Sequence, residues 1–197
     1  MPELPEVETI KNELLPHVIG RRFTEVTICD AKPVRQPSVN EFCRRLIGQT
    51  INSLERRGKY LVFHLCDGEV LIIHLRMSGA LLLNPKQADR YTKVIFHLDN
   101  GSQLVFTDRR RLGALWLVGN EQPIVGKLGP EPLAPEFTAQ TLAKRLQKHK
   151  VPIKASLLDQ ACLAGVGNHN PCSGFGFYRV VECSTRLCCR ACCRKEG

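Results

Sequence analysis

No stretch of this chain stays apolar for the roughly 18–20 residues that a membrane-spanning helix needs, and no charged-then-apolar leader opens it. Those two absences exclude a helical membrane anchor and make the cytoplasm the expected compartment. Acidic residues are also in short supply. Nineteen Asp and Glu against 28 Lys and Arg leave a net charge of +9 and a pI near 9.2. A surplus of that size points to a polyanionic partner, most simply nucleic acid, with an anionic membrane surface as the weaker option. A disulfide framework is a third absence. The chain has ten cysteines, but without a secretion signal they are not expected to pair. Cys29, Cys43, Cys66 and Cys162 are scattered singly, as small buried hydrophobes are. The other six fall between Cys172 and Cys193.

What is present begins at the first residues, MPELPEVETI. While Met1 is attached, the nitrogen of Pro2 is a tertiary amide. Once Met1 is trimmed it becomes a secondary amine, and α-amino groups titrate near pH ~7.7–8.0, so a useful fraction is uncharged in a cell. An uncharged amine can attack an electrophilic carbon and form an iminium, with Glu3 beside it as acid or base. A plainer reading sets Pro5 at the first position of a helix, with Glu6 and Glu8 favouring its positive end. The two readings are compatible, because such a helix would fix where Pro2 points.

Farther along, Pro16 is expected to end the first helix, and RRFTEVTICD alternates like a strand. Ser38 and Glu41 have capping-box spacing ahead of Phe42 and Leu46, so SVNEFCRRLIG reads as a short helix closed by Gly48. Two apolar runs flank Asp67-Gly68, two more flank Asn100-Gly101, and LGALWLV follows as a further strand. Many short hairpins closed by helices indicate an α+β chain built on a β-sandwich or flattened barrel. Pro130, Pro132 and Pro135 form a stiff connector, which places a domain boundary there. Beyond it, TAQTLAKRLQKH and IKASLLDQACLAG read as helices, the second with Leu157, Leu158 and Leu163 on its apolar side. The Gly165–Asn168 turn (GVGN) is either a helix C-cap or a cradle of backbone N–H groups for a phosphate.

The blocks MPELPEVET, RRGKYLVF, HLRMSG, Asp108-x-Arg-Arg-x-Gly113, LGPEPL and IKASLLDQ…GVGN, in that order, resemble the bacterial formamidopyrimidine-DNA glycosylases from Met1 to Asn168. The resemblance implies an N-terminal catalytic β-sandwich with flanking helices over residues 1–130 and the first part of a helix–two-turn–helix module over 131–168. It also implies base excision repair of double-stranded DNA by a bacterial, nucleoid-associated monomer. Oxidised purines such as 8-oxoguanine and formamidopyrimidines would be removed through a Schiff base on Pro2, with β,δ-elimination at the abasic site. Glu3 would be the acid/base, and Lys59 would be a catalytic cation bound to the adjacent phosphate. His74 would contact backbone phosphate, and Lys154 and Asn168 would do so from the second module. Met77, Arg110 and Leu112 would fill the gap left by the flipped nucleotide, Arg110 pairing with the orphaned cytosine. The family more often has phenylalanine where Leu112 stands, so the wedge is expected to stack less well.

The resemblance stops after Asn168. The family carries a structural zinc finger, but Cys189 and Cys192 make one C-x2-C pair with no second pair at finger spacing, so its zinc ligands are absent. Residues 169–197 are expected to be an aberrant cysteine-rich tail without order, the product of a truncation or frameshift. Removing them takes away five basic and two acidic residues and leaves +6 of the +9. An interrupted module is expected to leave its leucine face exposed and the second domain loose. The alternative function is then a catalytically defective DNA-binding fragment.

Overall fold

The structure, a computed structural model, describes residues 2–86, 89–147 and 151–168. It opens with helix α1 (Leu4–Val18) and strands β1 (Phe23–Ile28) and β2 (Val34–Gln36), followed by helix α2 (Val39–Leu46). Seven strands come next: β3 (Ile51–Arg57), β4 (Tyr60–Leu65), β5 (Val70–His74), β6 (Gly79–Leu83), β7 (Thr92–Leu98), β8 (Gln103–Asp108) and β9 (Ala114–Val118). Short helices α3 (Gln122–Val125), α4 (Ala139–Leu146) and α5 (Ile153–Leu158) complete the described elements. The chain divides into a unit ending at Gly126 and a second beginning at Lys127, a few residues ahead of the proline connector.

In the first unit the strands form two sheets, ordered β1-β7-β8-β6 and β2-β9-β5-β4-β3. Every pairing is antiparallel except β2 with β9. The hairpins expected about Asp67-Gly68 and Asn100-Gly101 are present, with Gly68 and Gly101 at positive φ. One core lies between the sheets. Phe23, Phe96 and Phe106 from the first meet Leu61, Phe63, Leu71, Ile73, Leu115 and Leu117 from the second. Helix α1 adds Val7, Leu14 and Val18, and α2 adds Phe42 and Leu46. The unbroken apolar runs of β4 and β5 have a further cause. Val62, Val70 and Ile72 face the opposite way and are buried with Tyr60, Trp116, Val118 and Ile124 of α3. The five-stranded sheet is therefore covered on both faces.

Three local expectations need correction. Pro16 does not end α1, which runs on to Val18. Leu14 and Val18, four apart, are both buried, and their packing holds the final turn although Pro16 donates no hydrogen bond. Pro5 stands one position inside the helix rather than at its start. Helix α5 stops at Leu158, so Leu163 is not helical. The Asp159 carboxylate accepts the Ala161 N–H at 2.9 Å and turns the chain there. The Ser38 cap on α2, accepting from the Glu41 N–H, is as the spacing requires.

The second unit is not left open within its described residues. Leu142, Leu157, Leu163 and Val166 are buried together against Phe137 and Leu146. The LGPEPL segment straps them: Gly129 N–H donates to Gln160 O at 2.8 Å, and Ala164 N–H to Pro130 O at 3.1 Å. A side chain at Gly129 would put its Cβ 2.7 Å from the Ala161 carbonyl oxygen, which accounts for glycine there. The cysteine-rich segment, with its expected lack of order, lies outside the described residues.

The core assignment is testable by truncation. Phe96 is fully buried and its ring centroid lies 5.8 Å from that of Phe23. Phe96→Ala should cost about 3–5 kcal/mol in urea denaturation, whereas Leu82→Ala on the exposed side of β6 should stay within about 0.5 kcal/mol.

Candidate active site

The site is built from the head of α1. Glu3 is the N-cap, in extended conformation, and its N–H donates to the Glu6 carboxylate at 2.9 Å. That returning contact is half of a capping box, whose other half is the Glu3 side chain accepting the Glu6 N–H, and Glu3 is 2% exposed. Pro2 precedes it, half-buried, at the positive end of the helix.

Lys59 is presented by the tight turn joining β3 to β4, whose last pair is Arg57 with Tyr60. Gly58 takes φ of 60°, the left-handed value such a turn asks of its first central residue. Arg56 ties this turn to α1, donating through Nε to Glu8 Oε2 at 2.6 Å and through Nη1 to Gly58 O at 2.8 Å. Burial lowers the Lys59 pKa, and the carboxylates of Glu3 and Glu6 act in the opposite sense. A desolvated ammonium thus stands within electrostatic reach of the helix head.

His74 ends β5 and is buried, its ring edge-on to Tyr60 with centroids 4.4 Å apart. Burial, then the charges of Arg76 and Lys59, push its pKa down to about 3. The imidazole is neutral near pH 7, and Nδ1 accepts the Arg76 N–H at 2.9 Å. The remaining proton therefore belongs on Nε2, which is set as a hydrogen-bond donor.

Two loops carry the other candidates, and one buried carboxylate organises both. Asp108 is fully buried at the end of β8. It accepts the Ser78 hydroxyl from the β5–β6 loop, the Arg110 N–H at 3.0 Å and the Gly113 N–H at 2.6 Å. Burial alone would raise its pKa, but these bonds and one from Leu112 outweigh it and hold the carboxyl below the ordinary range. Gly113 is required: a Cβ would lie 2.5 Å from the Phe106 ring and 3.1 Å from Asp108 Oδ2. The loops are strained at their tips. Arg76 and Arg111 have φ of 56° and 57°, a conformation costing roughly 1–2 kcal/mol outside glycine. Each stands next to an outward-facing residue. Met77 is 46% exposed and Leu112 is 39% exposed, and Arg110 is exposed beside it. Large apolar side chains are thus held out in water on strained, internally bonded turns.

Lys154 on α5 and Asn168 at the end of the GVGN turn are exposed in the second unit. The Gly165 N–H is taken by Gln160 Oε1 at 2.9 Å, so that amide is not part of a phosphate cradle. Among the described residues no group of three His, Cys, Asp or Glu could hold a metal ion, and the Cys172–Cys193 segment lies outside them.

The structure therefore gathers Glu3 and Lys59 near Pro2, and joins the Met77 loop to the Arg110–Leu112 loop. Sequence reading missed what joins them. Asp108, Ser78 and Arg56 stand in the sequence only as letters of the quoted motifs, with no role of their own. An aspartate five residues before a glycine, with arginines between, is the available signal for a carboxylate that caps its own turn.

The model for the formamidopyrimidine-DNA glycosylase N-terminal domain matches residues 1–115, and that for the H2TH domain of the same enzymes matches residues 128–170. A formamidopyrimidine-DNA glycosylase of Symbiobacterium thermophilum is 45% identical over 174 residues, covering 85% of this chain and 57% of that protein. The Geobacillus kaustophilus one is 45% identical over 177 residues, covering 85% and 64%. The chain thus spans less than two thirds of these relatives. Among solved structures, the Lactococcus lactis formamidopyrimidine-DNA glycosylase bound non-covalently to DNA containing an abasic site superposes with a TM-score of 0.75 at 33% identity, covering 85% of this chain and 66% of that one. Its complex with DNA containing a formamidopyrimidine also gives 0.75 at 33%, covering 84% and 64%.

The state of His74 has a consequence for stability. Its folded pKa of about 3 lies below the unfolded value of 6.5, so between them the unfolded chain binds a proton that the folded chain does not. The neutral ring's contribution is full above the unfolded value and shrinks as pH falls toward the folded one. His74→Gln should accordingly lose less stability than the parent between about pH 7 and pH 5 in urea titrations.

Proposed function

The chain belongs to the formamidopyrimidine-DNA glycosylase family, and from that premise we propose that it acts on duplex DNA in base excision repair, removing an oxidised purine and cutting the strand at the abasic site. The observation that carries this reading is the head of α1, where buried Glu3 stands next to Pro2 with desolvated Lys59 in electrostatic reach. With Met1 removed, the Pro2 lone pair forms a bond to C1′ as the bond from C1′ to the damaged base breaks, and the proton given up by the proline nitrogen goes to the departing base. Glu3 supplies the proton as the ring oxygen leaves C1′, giving an iminium. Loss of a C2′ proton then expels the 3′ phosphate, and a second elimination expels the 5′ phosphate. The positive end of α1 and the Lys59 charge both disfavour protonating the amine, which keeps its lone pair available.

The remaining residues hold the DNA in this reading. Lys59 and the Nε2–H of His74 donate to phosphates beside the reacting sugar, and Lys154 and Asn168 bind backbone phosphate. Extruding a nucleotide costs a few kcal/mol of stacking and pairing. Met77 and Leu112 offset that by entering the gap, while Arg110 hydrogen-bonds the orphaned base. Leucine presents no ring face, so Leu112→Phe should raise affinity for gapped duplex. The zinc of the family's finger is structural, and each step above is assigned to side chains of the described residues. The bacterial cytoplasm, at the nucleoid, is the place of such a reaction.

The nucleophile is tested by trapping. Chain with Met1 removed and chain bearing an N-terminal extension are each mixed with an 8-oxoguanine duplex and borohydride, which reduces an iminium to a stable amine. A covalent adduct is expected with the first and not the second, and Glu3→Gln should slow excision by about 10²–10⁴-fold. An adduct with the extended chain would exclude Pro2. Binding without an adduct in both would mark a DNA-binding fragment.

A further inference from the structure

Asp108 holds the Arg110–Leu112 turn from below, and a second carboxylate holds it from outside. Asp30 follows β1, where the N–H groups of Cys29 and Asp30 donate to the Lys93 carbonyl at 2.9 and 3.1 Å and so fix its place beside β7. Its carboxylate grips Arg111 with two oxygens, Oδ2 to Nε at 2.7 Å and Oδ1 to Nη2 at 2.9 Å. The same group accepts the Lys32 N–H at 3.1 Å and faces Lys93 Nζ at 3.3 Å. Hydrogen bonding to Arg111 leads the causes that bring its pKa down to about 2, so the grip persists at any pH at which duplex DNA is handled. This is a built contact: a planar, two-point Arg–carboxylate pair whose acid is 14% exposed, although the arginine is 52% exposed.

Arg111 is also the residue at left-handed φ, between Arg110 and Leu112. Arginine has no intrinsic preference for that conformation, and the free end of its side chain is anchored on Asp30 in the loop after β1. Asp30 takes two of the five guanidinium N–H donors of Arg111 and half neutralises its charge, so the residue contributes geometry as well as charge.

We propose that Asp30 is a positioning residue for the gap-filling turn: by chelating Arg111 it keeps the backbone in the conformation that aims Arg110 and Leu112 outward, and so sets the preference for the base opposite the lesion. This rests on the reading that Arg110 and Leu112 enter the gap. Asp30 touches neither DNA nor the reacting atoms.

The test uses the full chain and three duplexes of one sequence: intact, with a reduced abasic-site analogue opposite cytosine, and with the same analogue opposite adenine. Asp30→Asn keeps the shape and removes the charge, while Arg111→Lys keeps the charge and removes the two-point grip. Each should narrow the cytosine-over-adenine preference by roughly three- to fivefold, and the double variant should lose no more than either single one. Affinity for intact duplex should change less than that preference. If Asp30→Asn shifts all three affinities by one factor, or leaves the preference intact, the pair only adjusts charge and the proposal is wrong. If the parent chain does not prefer gapped over intact duplex, the functional reading fails separately. Hydrogen exchange of the free chain then decides: Asp30→Asn should speed exchange across 109–112 and spare β7 and β8, and unchanged exchange there would overturn the proposal.

Discussion

A single buried aspartate ties together the two loops that carry Met77, Arg110 and Leu112. Asp108 collects donors from two loops that are far apart in sequence: Ser78 from one, and Arg110 and Gly113 from its own. Hydrogen bonds to a charged acceptor contribute about 1.5–3 kcal/mol each, and a buried carboxylate stripped of them would face the full cost of desolvation. The arrangement is therefore close to all-or-none. Around it, Gly79 and Gly113 are sites where a Cβ would collide, with Leu75 O at 2.4 Å and the Phe106 ring at 2.5 Å. Backbone packed that closely leaves the loops no way to relax inward, so Met77, Arg110 and Leu112 face out.

The other end of the site follows the same logic with different chemistry. Arg56, with 5% of its side chain exposed, bonds Glu8 of α1 and the carbonyl of Gly58. It makes one body of the helix that presents Pro2 and Glu3 and the turn that presents Lys59. Glu8 shows the effect of that bridging: burial would raise its carboxyl, but Lys11 and Arg56 pull it below the ordinary value. A lysine placed by such a tether can be desolvated without drifting to solvent, and a partly desolvated cation acts more strongly on a neighbouring amine or phosphate.

Most of the first unit was legible in the residues. Gly-containing turns, alternation and the Ser38 cap each speak through local physics, so the hairpins and α2 came out where expected. The failures share one cause. Pro16 should have ended α1 by propensity, but tertiary burial of Val18 overruled it. Leu163 fitted a helical stripe, but reached the same small core through the turn at Asp159. The resemblance named Met77, Arg110 and Leu112 as a set, yet could not say what unites them, because Asp108 meets Ser78, and Asp30 meets Arg111, only in three dimensions. Long-range polar contacts leave almost no local signature, and here they carry the geometry of the site.

The ionisation of Asp108 is the most direct measure of whether it holds both loops. A carboxyl whose folded pKa is depressed lends stability above its unfolded pKa and loses it as pH falls through the folded one. Following the Asp108 side-chain carbon by NMR from about pH 7 down to pH 2 should give a midpoint clearly below the ordinary value of about 3.9. The amide resonances of Arg110, Leu112 and Gly113 should move at that same midpoint, since they are its donors. A midpoint at or above the ordinary value, or loop amides that do not respond, would contradict a charged hub beneath the two loops.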